Sequence, residues 1–216
     1  MILLIGNFLS KHGLNPTAIE DLATALSNRY ELKTSSDKKN PFVRLLDMAM
    51  SVVNNRKRCQ LIIVDVFSTY AFIFSCLVIF LAKLYNIPYM PVLRGGYLPG
   101  RYTKHPHIFN FLLTDASTII CPSEYLHKYF EDQNLFIEII PNYINLENYN
   151  FKVRNRIKPN LLWVRSIHNI YNPEMAIIVL SKIIKKYPEA HLCMVGPEKD
   201  NKIMKKLITL INALAI

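Results

Sequence analysis

Two arginines each follow directly on an apolar run. Arg94 opens the run Arg94-Gly95-Gly96 directly after the apolar stretch 89–93, and Arg165 follows the apolar run LLWV at 161–164. A guanidinium offers a rigid fork of donors that matches phosphate or carboxylate oxygens. Open α/β sheets bind their ligands beyond the carboxyl ends of their strands, where Gly196 would fall. Arg101 and Lys104 follow Arg94 closely enough to gather with it around an acidic group; the other reading is an exposed basic loop with turn glycines. An arginine at the end of a strand is otherwise a surface or ion-pair residue. Gly196, in HLCMVGP, either lets a ligand approach or simply turns the chain. Gly6 and Gly13 bound the loop GNFLSKHG, whose spacing is not GxGxxG and so not a dinucleotide fingerprint. Ser123 precedes a helical pattern and reads first as its N-cap.

Other chemistries find no such foothold. The cysteines at 59, 76, 121 and 193 form no CxxC pair, so neither a zinc site nor a disulfide framework is expected. Cys121 and Cys193 fall in predicted strands and read as core thiols. His105 and His107 have the spacing of loop residues, and no Ser-His-Asp or Cys-His arrangement emerges. The net charge of +10, with clusters at Arg56 to Arg58, Lys152 to Lys158 and Lys199 to Lys206, fits an anionic partner such as a membrane surface or a phosphorylated substrate. Without interleaved aromatic stacking residues, nucleic acid is not the expected partner. The apolar run Tyr70 to Ala82 is shorter than the roughly 18 to 20 residues that span a bilayer and reads as a buried helix. MILLIGNF lacks the basic lead-in and length of a secretory signal, which leaves the cytoplasm as the expected compartment.

The elements that must position these residues alternate along the chain. Strands are expected at 2–5, 30–35, 61–66, 89–93, 117–121 and 137–140, and helices after Asn15-Pro16 and at 42–55, 69–85, 107–113 and 123–130. Such alternation implies a parallel sheet with helices on both faces. A second unit begins at about residue 151, with strands at 161–164 and 191–195, a helix from Pro173 to Tyr187 and another over 202–214. The expected organisation is therefore α/β, with one Rossmann-like domain over 1–150 and part of a second over 151–216.

The run Asp115 to Tyr149, DASTIICPSEYLHKYFEDQNLFIEIIPNYINLENY, and the fresh strand after it resemble the stretch of family-4 glycosyltransferases where the acceptor-side domain hands over to the nucleotide-sugar domain of the GT-B fold. WVRSIHNIYNPEMAI resembles the donor-phosphate segment of that family. On this likeness Arg165 takes the place of the phosphate-binding arginine and Ser166 stands beside it, while Val164 and Ile170 occupy the positions of the family glycine and lysine. Gly196 falls on the turn that approaches the donor. Gly6, Gly13, Arg94, Gly95, Ser123 and Asn142 fall on the cleft or acceptor side. Arg94 replaces a histidine, and Tyr143 and Asn145 replace the glycine and aspartate of the hinge P-N-G-V-D. The sequence ends before the paired glutamates of retaining members.

The resemblance implies retaining, metal-independent sugar transfer with no cofactor beyond a nucleotide-sugar co-substrate. The acceptor would be a saccharide or a lipid-linked group in polysaccharide or glycolipid assembly at the inner membrane face, with weak or no activity in this chain. Two other readings stay open: a sugar-nucleotide epimerase, and a non-catalytic remnant serving as a binding or assembly module.

Overall fold

Runs of apolar residues punctuated by turns produce, in order, β1 (Ile2–Ile5), α1 (Ala18–Leu26), β2 (Leu32–Ser35), α2 (Pro41–Asn55), β3 (Leu61–Val66), α3 (Ala71–Leu84), β4 (Tyr89–Leu93), α4 (Leu98–Lys104), α5 (Pro106–Leu113), β5 (Ile120–Cys121), α6 (Glu124–Glu131) and β6 (Glu138–Ile139). This computed structural model describes residues 1–144, 146–153, 155, 158–198 and 201–216. They divide into two units, Met1–Asn148 and Tyr149–Ile216. Arg154, Arg156 and Lys199 of the basic clusters, and Asn145 of the hinge-like segment, lie outside the described residues.

In the first unit all six strands run parallel, in the order β2-β1-β3-β4-β5-β6. The chain winds one way from β1 to β2 and the other way from β3 onward, the Rossmann-like pattern that opens a crevice at the β1/β3 boundary. β3 sits at that boundary and is buried from Ile62 through Val66, as a parallel strand covered on both faces should be. Alternate side chains divide the core. Leu3, Ile5, Ile62, Val64 and Val66 pack with α2, α3, α5 and α6 on one face. Leu4, Ile63, Val92 and Ile120 pack with Ile19 of α1 on the other.

Local chemistry sets where the helices begin. Asn40 caps α2: its side-chain oxygen accepts from the N–H groups of Phe42 at 2.9 Å and Val43 at 3.3 Å, with Pro41 in the first turn. α1 starts two residues later than Asn15-Pro16 implies. Its Glu20 carboxylate reaches back to the Thr17 N–H at 2.7 Å, a stronger start signal than the proline. α4 occupies what reads in the sequence as a basic loop. Tyr102 of that helix joins Phe72, Phe109 and Phe130 in an aromatic cluster with centroids 5.1 to 6.0 Å apart, and this packing outweighs the weak helix propensity of Pro99 and Gly100.

Three further expectations need correction. α3 is not a buried helix: Phe72, Ser75, Val78, Ile79 and Ala82 face the core, whereas Ile73, Phe80 and Leu84 are exposed. Ser123 occupies the N-cap of α6 but makes no side-chain capping bond. The last two strands of the sheet shrink to two residues each, because β5 pairs with β4 at Val92↔Ile120 alone.

The second unit holds β7 (Asn160–Val164), α7 (Pro173–Ile184), β8 (His191–Val195) and α8 (Asn201–Leu214). β7 and β8 pair in parallel from Asn160↔His191 to Val164↔Val195. Ile177 of α7 and Ile203 and Leu207 of α8 cover one face, against Trp163, Leu192 and Met194. The strand residues between them, Leu162, Val164, Cys193 and Val195, are exposed. Cys193 is thus no core thiol, unlike the buried Cys121, because its parity on β8 turns it to the uncovered face.

Candidate functional site

Asp65 is the acid in an otherwise apolar strand, and it stands at the carboxyl end of β3, beside the β1/β3 crevice. Its side chain is 1% exposed. Arg94, one residue past β4, donates from Nε to Oδ1 of Asp65 at 2.5 Å and from Nη1 to Oδ1 of Asn142 at 2.5 Å. The backbone holds this geometry, since the Arg94 N–H donates to the Val66 carbonyl at 2.9 Å. Oδ2 of Asp65 is buried and has no hydrogen-bond partner among the described residues. Burial pushes the Asp65 carboxyl up to about 6, the charge and hydrogen bond of Arg94 opposing this only in part.

Glycines allow the loops to close around this pair. A Cβ on Gly6 would lie 3.0 Å from Oδ2 of Asp65 and from two carbons of Ile19. At Gly95 a Cβ would sit 2.5 Å from the Ser68 backbone nitrogen, so the loops after β3 and β4 touch only because residue 95 has no side chain. Gly13 answers a different need. It has open space around it and a φ of +80°, ending a 3₁₀ turn at Ser10–His12. Lys11 is ion-paired with Asp37, and His12 is bonded to the Asp37 carbonyl, so the Gly6–Gly13 loop is tied to the segment after β2.

The basic residues around Arg94 do not converge as a free anion clamp. Arg94 is committed to Asp65 and Asn142. Arg101 donates to the Ser68 carbonyl at 3.1 and 3.2 Å and lies 4.5 Å from the Phe72 ring centroid. Lys104 is exposed at the end of α4. Beside Arg94 and Asn142, on the α1 face of the sheet, a cavity of about 250 Å³ is floored by Ile63, Val92 and Ile120. A larger polar groove of about 320 Å³ lies at the sheet edge by β2 and α2; its charged side chains are locally engaged, Lys38 with Asp37 at 2.9 Å, Asp47 with the Ser35 hydroxyl at 2.9 Å and Lys33 with the Asn55 amide oxygen at 3.5 Å. The first cavity includes Ile63 of β3, one of the two strands that bound the crevice.

In the second unit Arg165, Ser166 and Gly196 meet at the carboxyl ends of β7 and β8. Arg165 N–H donates to the Val195 carbonyl at 3.0 Å, and Ile167 N–H to Pro197 at 3.0 Å. A Cβ at Gly196 would fall 1.6 Å from the Arg165 carbonyl oxygen, so no other residue fits there. The Arg165 guanidinium lies 5.0 Å from the Tyr171 ring centroid, and no carboxylate pairs with it among the described residues. His168 is locally engaged, Nδ1 accepting from the Ile170 N–H at 3.2 Å.

Asp65 and Tyr171 are the residues that sequence reasoning missed. The signal for Asp65 was present: a single acid inside LIIVDV must find a cation or a proton once buried. Tyr171 had no comparable mark. Among the described residues, no group of three His, Cys, Asp or Glu side chains is placed to hold a metal ion. Compared with known proteins, the chain matches no family model and no curated protein.

Proposed function

We propose that the chain is of glycosyltransferase lineage and that its second unit binds the diphosphate of a nucleotide-sugar donor through Arg165. One observation carries the reading: of the arginines that the sequence singles out, Arg165 is exposed and has no carboxylate partner among the described residues, whereas Arg94 is paired with Asp65. Its guanidinium lies against Tyr171 at the carboxyl ends of parallel strands, the place where α/β sheets meet their ligands. Gly196 and Ser166 are the neighbours that would bring backbone and hydroxyl groups to the same anion.

In the proposed reaction the bond from the anomeric carbon to the diphosphate oxygen breaks as the hydroxyl oxygen of a saccharide or lipid-linked acceptor bonds to that carbon with retention, its proton leaving on the diphosphate. Negative charge grows on the departing diphosphate, and a preoriented cation lowers the energy of that state more than that of the bound donor. This is metal-independent transfer, with Arg165 supplying the positive charge. Assembly of a surface polysaccharide or a glycolipid is the setting that the resemblance implies.

A binding module without turnover is the second reading. It is favoured by Ile170, 76% exposed at the position where the resemblance places a second phosphate-binding cation. Calorimetric titration with nucleoside diphosphates, followed by product analysis with nucleotide sugars with and without acceptors, separates the cases. Binding weakened about ten- to more than a hundredfold in Arg165→Ala, as loss of a charged hydrogen bond of roughly 1.5–3 kcal/mol requires, supports the site. Transfer to an acceptor supports the enzyme, binding alone supports the module, and an altered free sugar nucleotide indicates an epimerase. Absence of nucleotide binding by the folded chain rejects all three.

A further inference from the structure

The outer face of α3 is the most unusual surface of the first unit. Helices on the surface of a domain normally turn polar residues to water, and a helix apolar all round is normally buried. α3, AFIFSCLVIFLAKL, is apolar on nearly every side, yet Ile73, Phe80 and Leu84 are 57%, 50% and 58% exposed. These positions recur at helical spacing along one stripe, with the half-buried Leu77 between them. Phe111 of α5, 41% exposed, extends the face, because the Lys83 ammonium between the two helices lies 4.6 Å from its ring centroid. At 14 residues α3 cannot cross a bilayer, and no helix among the described residues is long and apolar enough to do so.

Charge indicates what covers the stripe. Between residues 47 and 115 the chain carries seven Lys or Arg against three acids: Asp65, which is buried, Asp47, which accepts from Ser35, and the exposed Asp115. Arg58, Lys83 and Arg94 are paired with Glu31, Asp115 and Asp65. Arg56 and Lys57 remain exposed at the end of α2, and the Arg56 guanidinium lies 5.7 Å from the centroid of Tyr85, the residue after Leu84. An apolar stripe bordered by cations matches the interface of an anionic bilayer, where hydrocarbon lies just beneath negative headgroups. A second copy of the chain suits it less, since a twofold contact would oppose two rims of the same sign.

We infer that the α3–α5 face is a docking surface for an anionic lipid bilayer, lying on the membrane with Ile73, Phe80 and Leu84 in the interface and Arg56 and Lys57 on the headgroups. The inference is independent of any reaction the protein performs.

Flotation of the full chain with phosphatidylcholine vesicles, with and without phosphatidylglycerol, tests it. The protein should float with the anionic vesicles, and added salt should release part of it. Phe80→Gln/Leu84→Gln should abolish flotation while far-UV circular dichroism stays unchanged; Ile73→Gln is the substitute if that variant fails to fold. Replacing Arg56 and Lys57 by Gln should weaken binding roughly fivefold per cation. Equal flotation with neutral and anionic vesicles overturns the inference, as does binding that these variants leave intact. A chain that ignores vesicles but dissociates from dimer to monomer in Phe80→Gln/Leu84→Gln overturns it in favour of self-association.

Discussion

Arg94 Nε lies 2.5 Å from Oδ1 of Asp65, while the second oxygen of that carboxylate is sealed from water without a hydrogen-bond partner among the described residues. A buried carboxylate half-satisfied in this way depends on its one cation. The pair also joins three segments, since Arg94 passes the contact on to Asn142 at 2.5 Å.

Removing the cation should therefore be costly. Arg94→Gln leaves Asp65 buried without its counterion, and breaking such pairs destabilises by about 3–5 kcal/mol. Urea denaturation at neutral pH measures it. The double variant Arg94→Gln/Asp65→Asn should recover much of the loss, because the amide needs no counterion, and a double-mutant cycle gives the coupling between the two sites.

The same carboxyl makes stability depend on pH. Its folded pKa, about 6, lies above the ordinary 3.8, so the native state holds this proton more tightly than the unfolded chain does. The contribution is fully present below the unfolded value and is lost as pH rises through about 6, a change on the order of 3 kcal/mol. Asp37, held near 2 by hydrogen bonds and charge from Lys11 and Lys38, acts in the opposite sense and at lower pH. The difference in unfolding free energy between the wild type and Asp65→Asn isolates the Asp65 contribution. Between pH 4 and pH 7 that difference should move against the wild type.

Gly196→Ala should disrupt the second unit. The new methyl would lie 1.6 Å from a backbone oxygen that two strands hold in place, and overpacking of this kind costs about 1–3 kcal/mol or more. Trp163 is the single tryptophan and packs in the core of that unit. Its emission should shift to the red in Gly196→Ala, while the first unit keeps its helical signal.

Two caps should respond differently. Asn40→Ala removes a side chain that accepts two backbone N–H bonds and should cost about 1 kcal/mol. Ser123→Ala removes a residue in capping position that makes no such bond, and it should be close to neutral. Thermal unfolding of both variants is the comparison.

Local order was legible because local rules make it. Period-two and period-3.6 spacing of apolar residues, with Pro173 near a helix start, places most strands and helices within a few residues. Alternation of the two types implies the parallel α/β sheet of the first unit. Gly196 and Arg165 could each be placed at a strand end for the same reason, and the pairing of β7 with β8 is what makes them neighbours. Tertiary structure decided what those residues do. Arg94 looks as free as Arg165 in the sequence, yet β4 lies beside β3, and the register that pairs Val66 with Leu93 brings Arg94 to Asp65, 29 positions away in the chain. Strand parity turned Cys193 outward, and aromatic packing made a helix of Leu98–Lys104. Ion pairing, burial and uncovered faces are properties of which distant segments meet, and a one-dimensional pattern carries no direct record of those meetings.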